Sequence, residues 1–282
     1  MSHADQLPFH QLLAPPGVSH EPTRWVYLLH GILGQGGNLR TLARRWIAHH
    51  PDTGAVLVDL RNHGRSLHLP PPDDLDTCAA DVERLQTSLG KPAAAVLGHS
   101  FGGKVALTIA RRAHERGTPL EQLWVLDSTV GIRRLEEIDS HPGSTRAIVE
   151  MLGAMPLEFA SREWFAETLE DQGLSPSIVA WLAMSVVKSD GGYRFGPEMP
   201  RIRAMLESYF VTDSWPVIET PMADRVHVVV AGKSTTFSTA DRDRLRAAEA
   251  QHPGRVSMHL LEDSTHWVHV DGADQLDTLL AR

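Results

Sequence analysis

The chain has a single cysteine, Cys78. That excludes an intramolecular disulfide and any zinc–thiolate cage. No apolar run approaches the ~20 residues that a membrane-spanning helix requires. Lysine and arginine form no stripe, and the formal charge is −8, which argues against a nucleic-acid or anionic-membrane partner. No HExxH motif, paired Cys/His spacing or P-loop occurs, so no metal or cofactor is expected. The stretch MSHADQLPFHQLLAPPG lacks the charged-then-apolar run of a secretion signal, and a cytoplasmic protein is expected. What remains is 42% hydrophobic and 22% charged residues over 282 positions, the composition of a soluble globular chain. That length suits either one domain with an insertion or two domains.

Short runs rich in Val, Leu and Ala occur at 25–29, 55–60, 93–97, 123–126, 226–231 and 256–261. They show little polar alternation, as do strands buried on both faces. Between several of them lie segments with helical spacing: 38–49, 76–89 and 101–116. Strand and helix in alternation predict an α/β fold, a mostly parallel sheet with helices on both faces. The alternation stops between residues 130 and 220, where helices are expected at 144–152, 161–172, 175–187 and 198–209 with no clear strand. This stretch carries Trp164, Trp181, Trp215, Tyr193, Phe195, Tyr209 and Phe210. It reads as a helical cap inserted into a core made of 1–129 and 221–282. Most of its aromatics are expected to fill its own interior and a few to line a pocket.

VLGHSFGGK, residues 96–104, joins a strand to a helix through a serine flanked by Gly98 and Gly102. In that context G-x-S-x-G is a tight turn that lifts Ser100 to the sheet edge as a nucleophile. The next amide, that of Phe101, opens a helix whose N-terminus favours negative charge. LLHGILGQGG, residues 28–37, follows another strand. Its glycines permit sharp turning, and it can aim the Ile32 amide at the same oxyanion. One such donor contributes roughly 3–4 kcal/mol to transition-state stabilisation. His30 in this loop is read as structural rather than as a catalytic base. His49 and His50 close a helix and read as solvated.

With HGILG at 30–34, DLRNHGRS at 59–66, GHSFGGK at 98–104 and HWVH at 266–269, the chain resembles the α/β-hydrolase family, whose motifs occur in this order. The RNHGxS form is similar to that of the small esterases related to abhydrolase-domain-containing protein eleven and their bacterial counterparts. The resemblance implies an eight-strand-type sheet, a helical cap and a Ser-His-acid triad. It also implies that Asp59 and residues 61–66 are structural.

Of sixteen histidines, His266 follows the last expected strand and completes the order Ser…Asp…His. Its loop would bring it within reach of the serine hydroxyl. His269, expected to begin a helix, is the weaker choice. In the family the acid commonly follows the strand before the histidine's strand. Here that loop reads AGKSTTFS and carries no carboxylate. The other family position follows the strand after the serine helix, where VLDSTV places Asp127. Asp127 is therefore assigned the orienting acid, although helix capping is its other reading. Asp263 ranks second and Asp241, which looks like the first turn of a helix, third.

These residues point to acyl-transfer chemistry on a small-molecule ester, with thioesters open to the same site. Two alternatives stand beside it. A lyase or C–C hydrolase could use Arg194, Arg201 or Arg203 to hold a substrate carboxylate. A non-catalytic ligand-binding relative is the third reading.

Overall fold

A computed structural model describes residues 6–17, 20–134 and 144–281. Residues 1–5 of the N-terminal stretch and 135–143 of the expected cap lie outside the described residues.

The described residues form a sheet of seven strands: β1 (His10–Leu13), β2 (Arg24–Leu29), β3 (Thr53–Val58), β4 (Ala93–His99), β5 (Leu120–Leu126), β8 (Ala223–Ala231) and β9 (Val256–Leu261). Their order is β1-β3-β2-β4-β5-β8-β9. Only β1 runs antiparallel, against β3. The apolar runs have the cause read from the sequence. Alternate side chains of a strand point to opposite faces, and here both faces are covered. Tyr27 and Leu29 of β2 enter one core, together with Val96 and Val125. Val26 and Leu28 enter the other, together with Leu97 and Leu126.

The first face is covered by α2 (Leu75–Leu89), α3 (Phe101–Glu115) and α9 (Thr239–Gln251). The second is covered by α1 (Arg40–His49) and α10 (Ala273–Leu280), which supply Leu42, Trp46, Leu276 and Leu280. From β2 the chain crosses to β3 on one side, whereas from β4 it crosses to β5 on the other. The order reverses between β2 and β4. Ligands of open α/β sheets bind in the crevice at the carboxyl ends of such strands.

Three expectations needed correction. The sheet has seven described strands rather than eight. Strand β1 was missed because HQLL is half-exposed along most of its length and lacks the run of a buried strand. The 130–220 stretch also contains a hairpin, β6 (Val186–Ser189) with β7 (Gly192–Phe195). The helix expected at 175–187 stops earlier, as α6 (Pro176–Ala183). Continuous apolar residues hid that boundary, but Asp190-Gly191 between paired Ser189 and Gly192 is a two-residue hairpin turn. The remaining helices there are α4 (Thr145–Ala154), α5 (Arg162–Asp171), α7 (Met199–Val211) and α8 (Pro216–Glu219). No helix among the described residues is long and apolar enough to cross a membrane.

Candidate active site

Ser100 occupies the single residue between β4 and α3, at φ 53° and ψ −121°. A positive φ is costly for a residue with a Cβ, so the surroundings must enforce it. The Ser100 N–H donates to the Leu126 carbonyl at 3.0 Å, and the Gly103 N–H to the Ser100 carbonyl at 2.8 Å. Glycine is required beside it by close approach. A Cβ on Gly98 would overlap the Gly102 carbonyl, and one on Gly102 would overlap the Leu29 carbonyl. The start of α3 is thereby pressed against the end of β2. As the first residue of that helix, Phe101 has an amide with no acceptor in a preceding turn.

The loop after β2 is braced by the DLRNHGRS loop. His63 Nε2 accepts the Leu33 N–H at 2.9 Å, and His30 Nε2 accepts the Leu60 N–H at 2.9 Å. A backbone N–H can only donate. Each ring therefore carries its proton on Nδ1, which donates to the Arg61 carbonyl in His63 and to the Gly31 carbonyl in His30, both at 2.8 Å. Burial holds both rings neutral, lowering His30 to about 4 and His63 to about 3. Asp59 accepts the Gly36 N–H at 2.7 Å and the Arg65 N–H at 2.8 Å. Gly34 N–H is taken by the Gly31 carbonyl at 3.0 Å. The Leu33 and Gly34 amides are thus engaged, and Ile32 lines the cavity together with His30, Gly31, Leu33 and Gly34.

Asp127 follows β5 directly, fully buried and at φ 41°. Strand β8 holds it in place: its N–H donates to the Val229 carbonyl at 2.8 Å, and its Oδ1 accepts the Ala231 N–H at 3.0 Å. Its Oδ2 lies 2.7 Å from His266 Nδ1. A carboxylate accepts, so His266 carries a proton on Nδ1, and the neutral ring has its lone pair on Nε2. The loop that bears His266 is tied to the serine turn. His99 Nε2–H donates to the His266 carbonyl at 2.8 Å, and burial, then the neighbouring His269 and His266, hold the His99 ring well below its ordinary value.

Ser100, Ile32, Phe101 and His266 line one cavity of about 860 Å³. Among the described residues Ser100 and His266 make no direct hydrogen bond, a contact that in such sites tightens around substrate. The cavity's apolar wall includes Ile148, Ile178, Trp181, Leu206, Phe210 and Trp267.

The competing residues are placed elsewhere. Asp263 is exposed and pairs with Lys233 at 3.2 Å. Asp241 caps α9 reciprocally with Ser238, which accepts the Asp241 N–H at 3.1 Å and donates its own N–H to Oδ2 at 2.9 Å. His269 precedes α10 in a turn rather than beginning a helix, and its Nδ1 is buried without a partner. Arg201 is bound to Asp73 at 2.7 Å, and Arg194 to the Gly196 carbonyl at 2.9 Å. Neither of these, nor Arg203, lines the cavity. No group of three metal-binding side chains occurs among the described residues.

Sequence reasoning missed three residues around the site. His99 anchors the His266 loop. Thr236 lies 3.4 Å from His266 Nδ1. Lys104 is fully buried and donates to the Gly131 and Tyr209 carbonyls at 2.9 and 2.6 Å. Only Lys104 had a signal, a charge on the inward side of a helix that is otherwise apolar there.

Comparison with known proteins agrees with this architecture. The chain is 24% identical over 254 residues to the sn-1-specific diacylglycerol lipase ABHD11 of Mus musculus, covering 87% of this chain and 76% of the relative. It is 26% identical over 253 residues to esterase YbfF of Escherichia coli, covering 88% of each. Among solved structures, a marine microorganism esterase superposes with a TM-score of 0.75 at 19% identity, over 97% of both chains. The thioesterase domain from the curacin biosynthetic pathway does so with a TM-score of 0.66 at 19% identity, over 98% of this chain and 99% of that one. The model of the alpha/beta hydrolase family matches residues 16–278. A strand–serine–helix turn at the switch point of a mostly parallel sheet is thus found in a chain that belongs to the alpha/beta hydrolase family.

Proposed function

We propose that this hydrolase is a serine carboxylesterase, acting on esters of small to medium apolar acyl groups and open to thioesters. The observation that carries the proposal is the 2.7 Å contact between Asp127 and His266 Nδ1, beside a cavity that also holds Ser100. In the neutral ring it selects the tautomer whose Nε2 can accept the Ser100 proton.

In this reading Ser100 Oγ attacks the ester carbonyl carbon while His266 takes its proton. The amides of Ile32 and Phe101 receive the negative charge that develops on the carbonyl oxygen. As the C–O bond to the alcohol breaks, His266 passes its proton to the leaving oxygen. A water, deprotonated by the same ring, then attacks the acyl-enzyme and restores Ser100. Asp127 remains ionised throughout and stabilises the imidazolium. Residues 130–220 act as a cap whose apolar side chains receive the acyl group.

The activities for which the relatives are named, a lipase and an esterase, support ester cleavage. Of the arginines on which a carboxylate-binding lyase would depend, Arg201 and Arg194 are engaged away from the cavity, and Arg203 does not line it. The test is covalent labelling by a fluorophosphonate together with hydrolysis of p-nitrophenyl butyrate. Both are expected in the wild type and lost in Ser100→Ala. A folded wild-type protein that takes no label would refute the reading.

A further inference from the structure

We propose that Thr236 is a positioning residue for His266, a second acceptor that shares the Nδ1 proton with Asp127. The role rests on the catalytic reading above, but the geometry stands without it. Thr236 Oγ1 lies 3.4 Å from His266 Nδ1, and Asp127 Oδ2 lies 2.7 Å from the same nitrogen. Because the carboxylate can only accept, Nδ1 is the donor and Thr236 Oγ1 must accept from it. The Nδ1–H is therefore divided between a short charge-assisted bond and a long neutral one.

The hydroxyl is prepared for that task. Ser234 Oγ donates to Thr236 Oγ1 at 2.9 Å, and the Thr236 N–H donates to Ser234 Oγ at 3.2 Å. These two bonds hold the Thr236 hydroxyl in place beside the imidazole. The loop itself is clamped from the segment after β5: Arg133 donates to the Thr235 carbonyl at 3.1 Å and also to the Thr236 carbonyl. The carboxylate-free loop AGKSTTFS thus contributes a fixed hydroxyl to the base. Asp127 supplies charge on one side of Nδ1, and Thr236 limits the swing of the ring on the other. An acceptor at Nδ1 stabilises the imidazolium that forms when the ring takes the Ser100 proton.

Thr236→Val keeps the side-chain shape and removes the acceptor, whereas Thr236→Ser keeps it. The valine variant is expected to lose about three- to tenfold in kcat with KM unchanged. Its acidic limb should move down by a few tenths of a pH unit. The serine variant should match the wild type. A loop that was merely structural would not move the pH limb or discriminate between these two variants. A second arm uses reach. If Thr236 faces Nδ1, a carboxylate at that position can partly replace Asp127, and Asp127→Asn/Thr236→Asp should recover at least about tenfold of the activity lost in Asp127→Asn.

A third readout needs no turnover. The His266 Nδ1–H proton resonance should shift in Thr236→Val and stay in place in Thr236→Ser. If Ser100 proves unreactive, the catalytic reading fails while this resonance still decides the contact. Wild-type kcat, pH profile and proton resonance in the valine variant would overturn the proposal.

Discussion

Asp127 Oδ2 and His266 Nδ1 meet at 2.7 Å although the residues are 139 positions apart. The carboxylate is fully buried, and its other oxygen is held by the Ala231 N–H. Asp127→Asn retains that second bond but offers His266 a neutral partner. We predict a fall in kcat on the order of 10⁴-fold with little change in melting temperature. Asp263→Asn and Asp241→Asn should retain near-normal turnover, and Asp241→Asn should lower stability by about 1 kcal/mol through its cap. Steady-state kinetics and thermal melts on the three variants check this.

Two glycines near Ser100 should respond differently to a methyl group. On Gly31 it would lie 3.1 Å from Ser100 Cβ and 3.3 Å from His99 Nδ1, a tight fit against side chains. Gly31→Ala is expected to fold and to lose roughly tenfold to a hundredfold in activity through displacement of the serine. On Gly98 the methyl group would overlap the Gly102 backbone, which cannot yield, and Gly98→Ala should fail to accumulate as folded protein. Circular dichroism and p-nitrophenyl butyrate turnover separate the two outcomes.

Lys104 predicts a dependence of stability on pH. Burial lowers its ammonium to about 7 in the folded protein, opposed by Asp213 and assisted by Arg133. Unfolded lysine titrates near 10.4, so between these values the unfolded chain binds more protons. Stability from this group must therefore rise with pH, from about 7 upward until the unfolded lysine titrates. Lys104→Met cannot titrate. The difference in urea-unfolding free energy between wild type and variant should grow in favour of the wild type from pH 7 to pH 9.5. A constant difference would contradict the shift.

Trp181 of α6 meets Trp267 edge-on at 5.0 Å between ring centroids, and both line the cavity. The contact closes the space between the proposed cap and the loop bearing His266. Trp181→Ala opens it and should raise the kcat/KM ratio of p-nitrophenyl octanoate to butyrate by about tenfold, the scale of discrimination available to an apolar pocket.

Local rules made much of this readable in advance. Gly98 and Gly102 around Ser100 have one physical cause, the pressing of a helix start onto a strand end. The runs at 93–97 and 226–231 lack polar alternation because both faces of the sheet are covered. The loop AGKSTTFS carries no carboxylate, which leaves Asp127 as the acid expected from the sequence. The hairpin at Val186–Phe195 was obscured because apolar residues continue from α6 into β6, leaving Asp190-Gly191 as its one local sign. The bonds from His99 to the His266 carbonyl and from Thr236 to its ring join segments far apart in the chain. No spacing rule reports such encounters, and they follow only from the way the loops converge.

Among the described residues, four non-glycine residues have positive φ: Leu33 at 62°, Asn62 at 56°, Ser100 at 53° and Asp127 at 41°. Each belongs to a segment that builds or braces the cavity. Each conformation costs on the order of 1 kcal/mol or more, and glycine would relieve that cost at the exchangeable positions. A library of this protein screened only for survival at high temperature should therefore drift toward Ser100→Gly and discard the proposed nucleophile in exchange for a relaxed turn. Directed evolution of a heat-resistant form must keep turnover in the screen from the first round.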